Sequence, residues 1–520
     1  MKGNLVSAPE ETEPGRLRDG SWPWCPDLGD GRYRNPVLYA DYSDPDVIRV
    51  GDDYWMTASS FNCAPGLPIL HSRDLVHWRL VNHAVPEVPG ERYRSVQHGC
   101  GIWAPAIRYH AGRFWIFFPT PDEGIYLTTA EDPAGRWSEP HLVQAGRGLI
   151  DPCPFWDDDG RAYLVHAYAG SRAGIKHRLR VCPMAPDGSR LLGEGRIVFH
   201  DPERHPTLEG PKLYKRDGWY YILAPAGGVS TGWQVALRSR HIYGPYEDRI
   251  VLAQGGTPVN GPHQGALVDT PAGEWWFLHF QDAGVYGRVV HLQPARWEDG
   301  WPLMGRPGPD GVGEPVLVHP KPKLPPYEAE PQGTCDEFDG ATHARAWQWH
   351  ANPEPGWWSL RDRPGWLRLF ARPCMRRLED TPHLFLQKFP ARTFAVETWL
   401  DMPGDVGVEA GLAVVGRASA ALAVRRGPGG CRLVFRSEET LRELGTVPDG
   451  GVRLRVRVGE GGLCEFGFAG PTGPIRAVAE PFQARAGVWI GAKVGLYCSR
   501  TGQAAATGHA DFDYFRFSRG

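Results

Sequence analysis

The chain of 520 residues has no run of the roughly 18 apolar residues that a membrane-crossing helix needs, so no membrane partner is expected. Its first 24 residues lack the apolar core of a signal peptide, which makes a cytoplasmic location the expectation. Nor does one charge dominate. Lys and Arg number 57 against 60 Asp and Glu, and the net charge of −3 argues against a nucleic-acid partner. The ten cysteines form no CxxC pair. Structural zinc is therefore not expected, and the cysteines read as thiols of a reducing compartment. Cys153 near Asp151 and Cys100 near Trp103 read as buried thiols, not nucleophiles. Helical periodicity is almost missing as well. The sequence consists of short β-type runs broken by Gly, Pro, Asp and Asn.

Aromatic residues and repeats are abundant. The phrases Gly51-Asp52-Asp53-Tyr54-Trp55, Gly112-Arg113-Phe114-Trp115, Gly160-Arg161-Ala162-Tyr163, Gly218-Trp219-Tyr220-Tyr221 and Gly273-Glu274-Trp275-Trp276 share one pattern. Each is a turn glycine followed by an aromatic strand. They recur roughly every 50 to 60 residues, the period of a four-stranded propeller blade. A second element precedes each phrase: Asp44-Pro45, Trp103-Ala104-Pro105, Asp151-Pro152, Glu209-Gly210-Pro211 and His263-Gln264. If each opens the innermost strand of its blade, all five meet at one end of the propeller axis. Three carboxylates, a tryptophan and a histidine then face one pocket.

Each carboxylate has a bland reading. Asp44 and Asp151, alone, would be turn aspartates. The following proline is expected to restrict each to extended backbone at a strand's mouth. Glu209 alone would be an exposed loop acid. Its setting between Leu208 and Gly210-Pro211 instead predicts a raised pKa and a protonated carboxyl. Asp157, Asp158 and Asp159 read as solvated hairpin residues beside Gly160. The shared position of the three candidates in three repeats favours function. Carboxylates in an aromatic-walled pocket point to glycoside hydrolysis, with one acid protonating the leaving oxygen and another carboxylate activating water or attacking carbon. Rings beside the axis are read as sugar platforms, and most of the others as packing.

The expected organisation is an N-terminal lead-in over 1–33, a five-bladed propeller over 34–305, a proline-rich extended connector over 306–334, and a β-sandwich, jelly-roll-like, over 335–520. Alternating strands are predicted at 366–370, 394–399, 431–435, 452–456 and 511–517. The fold class is all-β. Asp336 and Asp513 are weighed as a structural calcium site in the sandwich, against the commoner reading as surface acids.

These segments resemble glycoside hydrolase family 43, the β-xylosidases and α-L-arabinofuranosidases. The matching stretches are 35–38 with Ser43-Asp44-Pro45-Asp46, Pro65-Gly66-Leu67-Pro68, Gly101-Ile102-Trp103-Ala104-Pro105, Asp151-Pro152, Glu209-Gly210-Pro211 and Trp297-Glu298-Asp299-Gly300. The resemblance spans nearly the whole chain. It implies a five-bladed propeller and an inverting mechanism, with the two carboxyls about 6.5–9.5 Å apart. By the same resemblance Asp44 is the general base, Glu209 the general acid, and Asp151 the residue that orients Glu209 and tunes its pKa. Phe61 and Trp103 match the walls of the sugar pocket, Arg288 a substrate-contacting arginine, and Gln264 a weaker pocket candidate. His263 matches an axial histidine that holds a hydrated calcium in many members. A satisfied buried histidine is the competing reading, since calcium prefers oxygen ligands. No cofactor is needed for the chemistry. In relatives with this sandwich, one of its loops closes a side of the pocket. His98 and Cys100 depart from the family pattern at the entrance.

The expected activity is exo-release of terminal xylose from a small oligosaccharide substrate, and a homo-oligomer is the partner weighed. The rival is an α-L-arabinofuranosidase or a bifunctional enzyme. A non-catalytic carbohydrate-binding propeller and an interaction scaffold belong to other classes. The first would tolerate loss of any carboxylate, and the second leaves the acid positions unexplained.

Overall fold

The protein is described by a computed structural model covering residues 22–327, 335–402, 405–438, 440–447, 450–478, 480–500 and 508–520. Residues 1–21 of the expected lead-in and 328–334 of the expected connector lie outside the described residues.

Five four-stranded antiparallel sheets follow one another in sequence order. Their innermost strands are Asp46–Val50, Ala106–His110, Leu149–Trp156, Lys212–Arg216 and His263–Asp269. Each aromatic phrase opens the second strand of its blade: Asp53–Thr57, Arg113–Thr120, Ala162–Tyr168, Trp219–Ala226 and Trp275–Asp282. The phrase glycines have positive φ, from 63° at Gly51 to 82° at Gly160, and nothing lies within 4 Å of where a Cβ would stand at four of them, while at Gly218 only the end of the Arg240 side chain does, at 3.2 Å. Backbone conformation, not crowding, therefore demands glycine in these inner hairpins.

Among the described residues no blade borrows a strand from the other end of the chain. The ring is latched instead by the segment that precedes the first blade. Leu38 and Val290 exchange backbone hydrogen bonds, and the Tyr33 hydroxyl and Asn35 side chain both donate to the Leu292 carbonyl. Arg32–Arg34 pairs with Val318–Pro320, and Arg306–Pro307 pairs with Gly313–Glu314. The proline-rich stretch is thus packed against the propeller over its described part, because its carbonyls and amides find ladder partners there.

The second unit is a sandwich of two eight-stranded sheets. The predicted strands appear as Leu367–Phe370, Phe394–Asp401, Gly430–Ser437, Val452–Val458 and His509–Ser518. Trp347 stacks on Phe385 with centroids 4.3 Å apart, and Phe515 packs on the same indole. Contacts of this kind add about 0.5–1.5 kcal/mol each beyond burial. Asp336 is held by protein donors. Its carboxylate accepts from the amides of Phe338 and Ala344 and from Trp347 Nε1, so protein donors already satisfy it. Among the described residues no group of three His, Cys, Asp or Glu is placed to hold a metal.

Candidate active site

The start of each innermost strand carries one of the elements picked out in the sequence. Asp44, Trp103, Asp151, Glu209, His263 and Gln264 all line one cavity of about 330 Å³ at that end of the axis. Phe61 and Arg288 line it too, so the structure brings the three carboxylates together with Phe61, Trp103, His263, Gln264 and Arg288. Ile150, Thr207, Gly228, Val229 and Trp489 complete the wall, and nothing in the sequence singled them out. Trp489 comes from the sandwich and carries no local signal. Only the docking of the two units brings it to the propeller.

The pre-proline expectation fails at both aspartates. Asp44 and Asp151 have φ of 55° and 56°, in the left-handed region. Such conformations cost on the order of 1–3 kcal/mol for a non-glycine residue and persist only where the surroundings overdetermine them. At Asp44 the surroundings are hydrogen bonds. Ser43 Oγ and Ser59 Oγ donate to Asp44 Oδ2 at 2.7 and 2.6 Å. Arg288 Nη1 donates to Ser43 Oγ at 2.6 Å and lies 3.4 Å from both Asp44 oxygens. Asp41 fixes the arginine in turn, because its Oδ1 accepts from the Arg288 amide at 2.9 Å. The other Asp41 oxygen accepts from Gly491 N at 2.9 Å. One buried carboxylate therefore sets both Arg288 and the sandwich loop that carries Trp489.

Asp151 Oδ2 accepts from the amide of Gly210 at 2.8 Å. Gly210 has φ of 61°, and a Cβ there would stand 2.7 Å from Gln264 Cδ, so glycine is required both by conformation and by space. Glu209, with its side chain 25% exposed, projects from the adjacent position. Burial and the charges of Asp151 and Asp44 push its pKa up to about 8. Burial also raises Asp151, while the Gly210 amide favours its charged form. The Gly210 amide thus favours protonation of Glu209 over Asp151.

His263 Nε2 lies 3.4 Å from Glu209 Oε1. Burial, with help from Arg288, pushes the imidazole down to about 3. Both groups are neutral near pH 7, so this approach is not an ion pair. Neither His263 nitrogen has a hydrogen-bond partner, and Gln264 Nε2 also lacks one. The histidine is thus not the satisfied core residue of the competing reading. It is not a protein-built calcium site either, because one nitrogen cannot replace the six to eight oxygens that calcium prefers.

The aromatic walls are joined through backbone. Phe61 and Ile102 exchange hydrogen bonds at 2.8 and 3.0 Å, which sets Phe61 and Trp103 with ring centroids 6.4 Å apart. Arg172 covers Trp103 at 5.1 Å. Trp489, 48% exposed, faces Arg288 from the sandwich side at 5.7 Å. The two entrance departures lie behind this wall. His98 Nε2 sits 3.0 Å from Asp380 of the sandwich, and Cys100 Sγ sits 3.6 Å from Arg172. Cys153 is buried at 2.9 Å from Arg108 and takes no part in the cavity.

The profile "Glycosyl hydrolases family 43" matches residues 33–302, and "Beta xylosidase C-terminal Concanavalin A-like domain" matches 335–518. A protein of Xylanibacter ruminicola is 50% identical over 337 residues, covering 64% of this chain and 62% of its own length. A "Beta-xylosidase" of Formosa agariphila is 36% identical over 381 residues, covering 67% of this chain and 63% of its own. The chain thus spans less than two thirds of the length of these relatives. A variant of the GH43 protein BlXynB from Bacillus licheniformis superposes with a TM-score of 0.84 at 26% identity, covering 94% of this chain and 100% of that one. With the family profile spanning more than half of its residues, this chain belongs to glycosyl hydrolase family 43.

Proposed function

We propose that the protein is an exo-acting glycoside hydrolase that releases terminal xylose from short β-1,4-xylo-oligosaccharides with inversion. The observation that carries this reading is the meeting of Asp44, Asp151 and Glu209 in one aromatic-walled cavity of about 330 Å³. That volume is at the low end for ligand pockets, which run about 300–1,000 Å³, and suits a short substrate better than a polymer.

Asp44 activates water. Its Oδ2 is occupied by two serine hydroxyls, which leaves Oδ1, approached only by Arg288 at 3.4 Å, to accept the water's proton. Glu209 is held protonated by burial and by neighbouring negative charge, and donates to the departing glycosidic oxygen. Asp151 holds the backbone next to Glu209 and keeps its pKa high. Phe61, Trp103 and Trp489 offer flat faces to the sugar C–H surfaces, and Arg288 a cationic fork to its hydroxyls. Acid and base come from side chains, so the reaction needs no cofactor. A calcium ion at His263 would take one nitrogen from the chain and its remaining ligands from water, and no step passes through it. The ten cysteines all stand as thiols, which supports a reducing, cytoplasmic setting.

An α-L-arabinofuranosidase is the rival within the family, because the two pentoses present similar hydroxyl layouts. Purified protein should be assayed on xylobiose, nitrophenyl β-xyloside and nitrophenyl α-L-arabinofuranoside, beside Asp44→Asn. Xylobiose cleavage whose first-formed product is α-xylose by NMR supports the proposal. Cleavage of the arabinofuranoside alone transfers it to the rival, and no hydrolysis at all leaves a binding propeller.

A further inference from the structure

A second cavity, of about 370 Å³, opens at the opposite end of the same axis. The innermost strands begin at the first cavity and end here. Arg49, Tyr109, Trp156, Arg216 and Asp269, one from each blade, all line it. Strands of five to eight residues, rising about 3.3 Å each, separate the two mouths by roughly 17–26 Å.

The walls combine flat rings with charges that are already paired. Trp156 lies on His110 with centroids 4.4 Å apart and planes 8° apart. Trp275 and Trp297 meet edge to face at 5.7 Å, and Arg216 covers Trp297 at 4.2 Å. Tyr109, 46% exposed, stands at the rim. Arg49 grips Asp269 with two bonds of 3.0 and 2.8 Å, Arg108 binds Asp46 at 2.7 Å, and Lys215 binds both Asp157 and Asp158. Trp297 Nε1 is buried and has no acceptor.

We propose that this far mouth is a second carbohydrate-binding site for a neutral pentose oligosaccharide, the ligand class of the axial pocket. The inference rests on the proposed function for that class. Half-exposed rings supply stacking faces. The guanidinium–carboxylate forks are fixed before any ligand arrives, so hydroxyls can bond to them with little loss of side-chain entropy. A polyanion gains nothing from cations that already hold carboxylates, and the chain's net charge of −3 works against it too. A short oligosaccharide in one mouth does not reach the other, so the two sites fill independently.

The test is calorimetric titration of full-length Asp44→Asn protein with xylotetraose. Two molecules bound per chain are expected. Trp156→Ala should weaken one class at least tenfold, and Trp103→Ala the other. Should Trp156→Ala fail to fold by circular dichroism, Tyr109→Ala, which alters an exposed rim ring, reads the same site. A stoichiometry of one abolished by Trp103→Ala overturns this inference and leaves the proposed function standing. Two sites that both survive Trp156→Ala and Tyr109→Ala also overturn it. No binding in either mouth overturns both.

Discussion

The amide of Gly210 donates to Asp151 Oδ2 over 2.8 Å, tying a carboxylate of the third blade to the backbone beside Glu209 in the fourth. The same contact fixes the backbone beside Glu209 and brings a negative charge close enough to raise its pKa. The two roles can be separated. Asp151→Asn keeps an acceptor for the amide and loses the charge. Its alkaline limb in a pH–rate profile should move to lower pH, with a modest fall in kcat. Asp151→Ala loses both and should lower kcat further. An unmoved limb in Asp151→Asn would mean that the charge does not tune Glu209.

Glu209→Gln should slow xylobiose far more than nitrophenyl β-xyloside. A sugar alkoxide needs a proton in the transition state, whereas nitrophenolate leaves with little help. The check is the ratio of kcat/KM values on the two substrates. An equal loss on both would assign Glu209 to substrate positioning.

Asp44→Asn should retain the fold and lose about 10²–10⁴-fold in kcat, the usual contribution of a general base. An amide can still accept from Ser43 and Ser59, so thermal unfolding should change little. Near-normal turnover would move the base elsewhere.

Trp489→Ala should raise KM for xylobiose with a smaller change in kcat, because the ring forms a wall of the cavity and touches no reacting group in the proposed mechanism. Unchanged steady-state constants would remove the sandwich from the site.

Stability should carry the mark of the protonated acid. The pKa of Glu209 is pushed from its ordinary 4.5 up to about 8 in the folded chain. Between those values the folded state holds a proton that the unfolded state releases, so wild-type stability falls as pH rises through that window. Glu209→Gln lacks this loss. Its melting temperature relative to wild type should climb from pH 4.5 to pH 8, and a constant difference would contradict a raised pKa.

The sequence by itself determined the all-β class, the blade count and the strand mouths. Those follow from short-range rules: a positive-φ glycine at each inner hairpin, aromatic residues on the strand after it, and a polar element opening the strand before it. Repetition at a fixed period then places Asp44, Asp151 and Glu209 at equivalent positions without any knowledge of distance. The expectation of extended backbone at Asp44 and Asp151 failed because a local proline preference was overridden by long-range bonds, from Ser59 and from the position of Gly210. Tertiary structure alone decided the latch of 32–42 on the fifth blade, the double use of Asp41, and the presence of Trp489 in the pocket. Each depends on surfaces far apart in the chain meeting with buried polar groups satisfied. No local pattern encodes which distant surface supplies the partner.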